Sequence, residues 1–192
     1  VQGDWTKAQY SINQGIWGTT IGGRETLSSS QPLPSEAYPS QCTNTEPQTL
    51  HLHFERGEFV GLNDTRYDHP VDAIRELARV AGAYAIGRDI HVGDTIIGTK
   101  GRVAFEAAAP LMIIKAHHAL EKHTLTRWQL NLKDQMSLWY GQLLHEGQFA
   151  EPAMRSIEAF FADTQTPVSG VVHVDCAPYR FSVSGVESPN DM

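Results

Sequence analysis

The order in which two-residue and helical apolar periods succeed one another constrains this chain more than any other feature. From Thr49 the period is two: Leu50, Leu52 and Phe54 alternate with His51, His53 and Glu55, the pattern of a strand with one buried face. Glu55-Arg56-Gly57-Glu58 then turns the chain into Phe59-Val60-Gly61-Leu62, which reads as a hairpin. Asp68-His69-Pro70 is a helix start, with proline where its missing N–H costs nothing. Val71, Ile74, Ala78 and Ala81 follow as one apolar stripe at helical spacing.

Ile90 to Phe105, rich in β-branched residues and glycine, reads as two strands with a turn near Gly98–Gly101. Pro110 opens a second helix running to about Glu121, and its apolar start predicts burial on most sides. A third helix is expected from about Thr126 to Leu144, with Leu132, Met136, Trp139 and Leu143 on one face and Gly147 just past its end. Pro152 opens a fourth through Ile157, Phe160 and Phe161. A closing hairpin carries Val172, Val174 and Cys176 one way, turns at Ala177-Pro178, and returns through Phe181 and Val183. No βα unit repeats, so a doubly wound parallel sheet is disfavoured. The expectation is an α+β fold, a mixed and largely antiparallel sheet packed with about four helices.

Two stretches fit neither period. Ala8–Gly23 (AQYSINQGIWGTTIGG) is glycine-rich and reads as a loop with short extended pieces. Gln31–Pro47 holds four of the ten prolines, with serines between, and reads as a connector over the surface. The chain of 192 residues is long enough for one domain over 1–192. Within it, 1–23 is a glycine-rich substrate segment, 24–49 a Pro/Ser-rich connector and 50–187 the α+β core.

A net charge of −7 argues against nucleic acid or an anionic membrane as partner. At 41% hydrophobic and 19% charged residues, the chain is neither a disordered tail nor a membrane protein. Its longest apolar runs fall short of the roughly 18–20 residues of a bilayer span. The polar start Val1-Gln2-Gly3-Asp4 does not read as a signal peptide, and Val in place of Met suggests a piece of a longer chain. Cys42 and Cys176 are far apart and form no CxxC pair, so two reduced thiols of an intracellular protein are expected.

Nine histidines raise the question of a metal. His51 and His53 share a strand face, and His117 and Glu121 stand four apart on a helix. Without an HExxH or a Cys/His quartet, solvated or packed histidines are the better reading. No GxSxG elbow, GxxxxGK[ST] loop or GxGxxG turn occurs, which leaves no nucleophile or phosphate cradle to name. Two segments keep chemical interest. Ser11 and Thr20 place hydroxyls within the glycine-rich strip, where backbone can approach a ligand closely. Residues 90–110, IHVGDTIIGTKGRVAFEAAAP, set Asp94, Lys100, Arg102 and Glu106 around a glycine-rich turn. Taken alone, each also reads as ordinary turn and surface chemistry.

In order, YSINQGIWGTTIGG (10–23), AIGRDIHVGDTIIGTKGRVAFEAAAP (85–110), LKDQMSLWYGQLLHEGQFAEPAMRSIEAFFADTQ (132–165) and VSGVVHV (168–174) resemble the carboxyl-terminal half of argininosuccinate synthases. The resemblance implies a synthetase and multimerisation domain of an enzyme that joins citrulline to aspartate. In that chemistry the citrulline ureido oxygen attacks the α-phosphate of ATP, pyrophosphate leaves, and the aspartate amine displaces AMP. It also implies cytoplasmic arginine biosynthesis, a tetramer, and an amino-terminal ATP-pyrophosphatase domain that holds ATP with its magnesium and the aspartate. A chain without that domain is expected to be inactive alone. No catalytic residue or metal ligand is assigned to the present chain.

By the same resemblance Ser11 and Thr20 match two serines that contact citrulline. A family glutamate and a tyrosine twelve residues later fall on Gly93 and Phe105, so a carboxylate and a phenol hydroxyl are missing. Charge-assisted hydrogen bonds are worth about 1.5–3 kcal/mol, so the amino-acid end must be held differently. Either Asp94 takes over the ammonium group, or the substrate is an N-acylated citrulline that needs no carboxylate. Lys100 and Arg102 match basic positions whose partner is left open. A non-catalytic oligomerisation or scaffold module with a vestigial ligand pocket is the alternative reading, and the third helix, with Trp139 and Tyr140, suits a subunit interface.

Overall fold

The computed structural model describes residues 9–95 and 97–192. The polar start, Ala8 and Ile96 lie outside the described residues. The elements begin with β1 (Tyr10–Gly15) and β2 (Gly18–Gly23), and then β3 (Gln48–Glu55), β4 (Glu58–Leu62) and β5 (Thr65–Arg66). Helix α1 (Pro70–Gly82) precedes β6 (Arg88–Asp94) and β7 (Lys100–Glu106). Three helices follow, α2 (Ala108–Thr124), α3 (Arg127–His145) and α4 (Pro152–Thr164), before β8 (Gly170–Ala177) and β9 (Arg180–Glu187). Four helices and two sheets, every described pairing antiparallel, make the expected α+β fold. The chain, expected as one domain over 1–192, packs as two compact units.

The first unit takes the chain up to Thr49, Val71–Ile113 and Asp175–Ser182. Its sheet has the order β1-β2-β7-β6. Residues 10–23 are therefore not a loop. β1 and β2 pair over all six positions, from Tyr10↔Gly23 to Gly15↔Gly18, and β2 continues onto β7. β-branched Ile12, Thr19, Thr20 and Ile21 favour the extended backbone, while glycine in between hides the alternation. Gly18 is needed where it stands. Its φ is +132°, and a Cβ there would lie 3.1 Å from the Ala107 Cβ and 3.3 Å from the Glu106 carbonyl oxygen.

The stretch read as a surface connector also needs correction. Leu33, Ala37 and Tyr38 are buried against Ile21 and Ala104, with Tyr10 and Ile90 packed on the same cluster. Short 3-10 turns at Arg24–Leu27 and Ser35–Ala37 fold the proline-rich chain onto the sheet. Proline and serine signal turns, but they do not say which apolar residues between them reach a core. In α1 the buried residues are Ala73, Leu77, Ala81 and Gly82; of the expected stripe Ala81 is buried, Val71 and Ile74 are half-buried and Ala78 is exposed, so the core-facing line is shifted towards Ala73 and Leu77.

The second unit comprises Leu50–Pro70, Ile114–Val174 and Val183–Met192. Most of the five-stranded sheet, order β5-β4-β3-β8-β9, belongs to it. Leu50, Leu52 and Phe54 of β3 and Val172 and Val174 of β8 are buried, as their alternation predicts. α2 begins at Ala108, two residues before Pro110, and ends at Thr124. Ala109, Met112 and Ala116 of α2 are buried while Leu111 and Ile114 meet solvent. Thr126 caps α3, accepting from the Gln129 amide at 3.3 Å while the Gln129 Oε1 accepts from the Thr126 amide at 3.0 Å. No residue of this 19-residue helix is buried. Met136 and Leu143 are half-buried, but Leu132 and Trp139, expected on the same face, are exposed. α4 opens on Pro152 as expected and buries Met154 and Ile157.

Candidate functional site

Pairing in the first sheet decides which side chains share a face, because partners across an antiparallel ladder lie on the same side and alternate residues on opposite sides. Asn13 pairs with Thr20, Thr20 with Phe105, and Phe105 with Asp89. These four residues form one row across all four strands. Ser11, opposite Gly22, and His91, opposite Val103, stand two residues along β1 and β6 in the adjacent row. Ser11 and Thr20 are diagonal neighbours, about 7 Å apart by strand geometry. Both are exposed, and their hydroxyls make no hydrogen bond among the described residues. Phe105 is half-buried in the middle of the row, an apolar floor flanked by hydroxyl, amide and carboxylate groups.

The opposite face is the core face. Ile21, Ala104 and Ile90 lie there with Arg88 and Glu106, which pair across β6 and β7. Their ion pair spans 3.3 Å with side chains only 12% and 8% exposed. Glu106 Oε1 also accepts from the Ser40 amide at 3.3 Å. The Arg88 guanidinium donates to the Ser40 carbonyl and lies 4.5 Å from the centre of the Tyr38 ring. Burial, outweighing the nearby Arg88, raises the pKa of the Tyr38 hydroxyl. Between the β1–β2 turn and the start of α2 a small cavity of about 130 Å³ is lined by Gln14, Thr19, Ser40 and Glu106.

The structure thus brings together Ser11, Thr20, Phe105 and the bare position of Gly93, and separates from them three residues named beside them. Asp94, Lys100 and Arg102 belong to the opposite face by register. Asp94 and Lys100 pair with each other, and Arg102 donates to the Gln31 carbonyl at 3.3 Å. Asp94 is therefore not placed to meet a ligand on the Ser11–Thr20 face, although it follows Gly93 in the chain. Asn13, Asp89 and His91 are the residues of this face that sequence reasoning missed. Their signal lies in the strand register, which counting from Phe105 back through the turn would have supplied.

The second unit holds a buried carboxylate, Glu121, at 0% exposure. Lys133 Nζ lies 3.1 Å from its Oε2, and the Gln165 amide donates to its Oε1 at 2.7 Å. Gln165 Oε1 in turn accepts from His117 Nε2 at 2.7 Å, which leaves Nδ1 of that ring facing Glu121 at 3.8 Å. Burial lowers the pKa of His117 against the opposing pull of Glu121. A cleft of about 770 Å³ opens beside it, lined by Arg56, Glu58, Lys133 and Phe161 among others. No group of three or more His, Cys, Asp or Glu among the described residues is arranged to hold a metal ion. No helix of the described residues is long and apolar enough to cross a membrane.

Comparison with known proteins bears on both units. Residues 10–192 match the family model described as the arginosuccinate synthase C-terminal domain. The chain is 37% identical over 184 residues to an argininosuccinate synthase of Dictyoglomus thermophilum, covering 95% of this chain and 46% of that protein. It is 34% identical over 185 residues to the argininosuccinate synthase of Methanopyrus kandleri and 32% over 189 residues to that of Xanthomonas campestris, in each case covering 94% of this chain and 46% of the relative. The chain therefore spans about half the length of the curated relatives it matches. With one match running through both units from β1 to the last residue, the chain belongs to the argininosuccinate synthase family, as its C-terminal domain.

Proposed function

We propose that this chain is the C-terminal part of an ATP-dependent ligase of arginine biosynthesis, joining a citrulline-like substrate to aspartate with release of AMP and pyrophosphate. The observation that carries this reading is the shared open face of Ser11, Thr20 and Phe105, in one register across β1, β2 and β7. Hydroxyls suit a ureido oxygen as donors and its N–H groups as acceptors. The Phe105 ring offers apolar contact to the methylene chain.

The residues present do not fit ATP. A triphosphate needs convergent cations or backbone amides, whereas the open face carries Asp89, and Lys100 and Arg102 are on the other side. ATP, its magnesium and aspartate are assigned to an N-terminal ATP-pyrophosphatase domain. Accordingly the chain alone is expected to show no turnover, in a protein of the cytoplasm. Citrulline titrated into the full-length protein should raise its thermal midpoint, since a ligand bound only by the native state must stabilise it. Ser11→Ala with Thr20→Val should abolish the rise. An unchanged midpoint in the parent protein contradicts the reading.

A second role rests on α3. Trp128, Leu138 and Trp139 are 70%, 75% and 67% exposed on a helix that buries nothing, more apolar surface than a solvated helix normally shows. A homo-oligomer, a tetramer by family resemblance, would cover it. Trp139→Glu should then lower the mass seen by sedimentation, and an unchanged mass contradicts this assignment.

A further inference from the structure

We infer that Asp89 and His91 of β6 hold the α-amino-acid end of the substrate, Asp89 accepting from a free α-ammonium and His91 donating to the α-carboxylate. This rests on the proposed citrulline-like ligand and decides its chemical class: an unacylated α-amino acid.

Of the twelve positions that the register places on the open face, ten are glycine, hydroxyl, amide or apolar residues. The two ionisable ones are Asp89 and His91. They are neighbours on one strand face, roughly 7 Å apart along the strand. The His91 ring leans towards Gly93, away from Asp89, so the ammonium and carboxylate that diverge from a single carbon would lie between the two side chains. Asp89 closes the row that begins with Asn13 and Thr20. From β2 to β6 is two strand spacings, about 10 Å, which suits a ligand with a ureido group at one end and an α-carbon at the other.

Local geometry supports the assignment. A Cβ on Gly93 would lie 2.9 Å from His91 Nε2, so the imidazole lies over the glycine and fills the space that a larger residue would claim. Gly93 thus does more than delete a side chain, because its bare backbone is what admits the ring. One oxygen of Asp89, Oδ1, accepts from the Ile90 amide at 2.7 Å, which fixes the carboxylate and leaves Oδ2 for a ligand. Neither Asp89 nor His91 takes part in an ion pair among the described residues, whereas Asp94 is paired with Lys100 on the other face. Opposing an acylated nitrogen, a carboxylate at 89 would face a neutral amide with no charge to match, and an acyl carbonyl would be repelled.

The test is steady-state kinetics of the full-length protein with ATP, aspartate and either citrulline or N-acetylcitrulline. The parent protein should favour citrulline. Asp89→Asn and His91→Ala should each raise KM for citrulline tenfold or more, with kcat changed much less. The weak use of N-acetylcitrulline, which keeps the carboxylate but not the ammonium, should be nearly unaffected by Asp89→Asn and weakened by His91→Ala. Asp94→Asn should match the parent. Circular dichroism of each variant verifies the fold, which these exposed sites should not disturb. A parent that prefers N-acetylcitrulline, or an Asp89→Asn variant with an unaltered KM for citrulline, overturns the inference while leaving the proposed function standing. No turnover with either substrate overturns both.

Discussion

Replacing Glu106 by Gln removes the charge that neutralises Arg88 while keeping an acceptor for the Ser40 amide. Both side chains of the pair are almost fully buried, at 12% and 8% exposure. Losing one partner of a buried ion pair costs about 3–5 kcal/mol, because the survivor stays desolvated and uncompensated. Arg88 keeps three contacts, the Ser40 carbonyl, the Tyr38 ring at 4.5 Å and the Tyr179 ring at 5.9 Å, and a cation over an aromatic face recovers about 0.5–2 kcal/mol. The lower end, about 3 kcal/mol, is therefore expected. For a chain of this size that is roughly 6–12 °C in the thermal midpoint. Urea unfolding followed by circular dichroism measures it. The double variant Arg88→Met with Glu106→Gln should recover most of the loss, since a buried pair replaced by neutral groups is often close to neutral. A Glu106→Gln loss below about 1 kcal/mol, or a double variant no better than the single, refutes the reasoning.

Other perturbations test separate parts of the structure. Gly87 has φ +82°, and a Cβ there would lie 2.7 Å from the Ala108 backbone nitrogen. Gly87→Ala should therefore destabilise by about 2 kcal/mol or more in the same assay. Burial pushes the Cys176 thiol up to about 11, so the unfolded chain releases this proton first. Stability should fall as pH rises from about 9 towards 11, by at most about 1.4 kcal/mol per pH unit, and Cys176→Ala should flatten that slope. Burial lowers the pKa of His117. The unfolded state then binds the proton more readily, so stability should drop as pH falls below about 6.5, a drop that His117→Gln should reduce. Equal slopes in parent and variant contradict either assignment.

Much of the fold is legible in residue order. The β3–β4 and β8–β9 hairpins follow from alternation, β6–β7 from β-branched residues around a glycine-rich turn, and α4 from Pro152 and its apolar spacing. What escaped did so for physical reasons. β1 and β2 have glycine at Gly15, Gly18, Gly22 and Gly23 and bury only Ile21 between them, so neither period shows. The phase of α1 hinges on alanines, which read as apolar on any face, and burial selects Ala73 and Ala81 over Ala78. Leu33 and Tyr38 reach the core through turns whose direction proline alone does not give. Of the candidate face, Ser11, Thr20 and Phe105 were named through resemblance. Their common face, and the displacement of Asp94 from it, needed the register of β6 against β7. Chain adjacency to Gly93 suggested Asp94, but in a strand the next residue is the one on the wrong side.

The direct measurement is a crystal structure of the full-length protein with citrulline bound. It should show the ureido group within hydrogen-bond reach of the Ser11 and Thr20 hydroxyls, with the carbon chain across Phe105. Citrulline seated elsewhere, with that face of the sheet bare, would contradict the account.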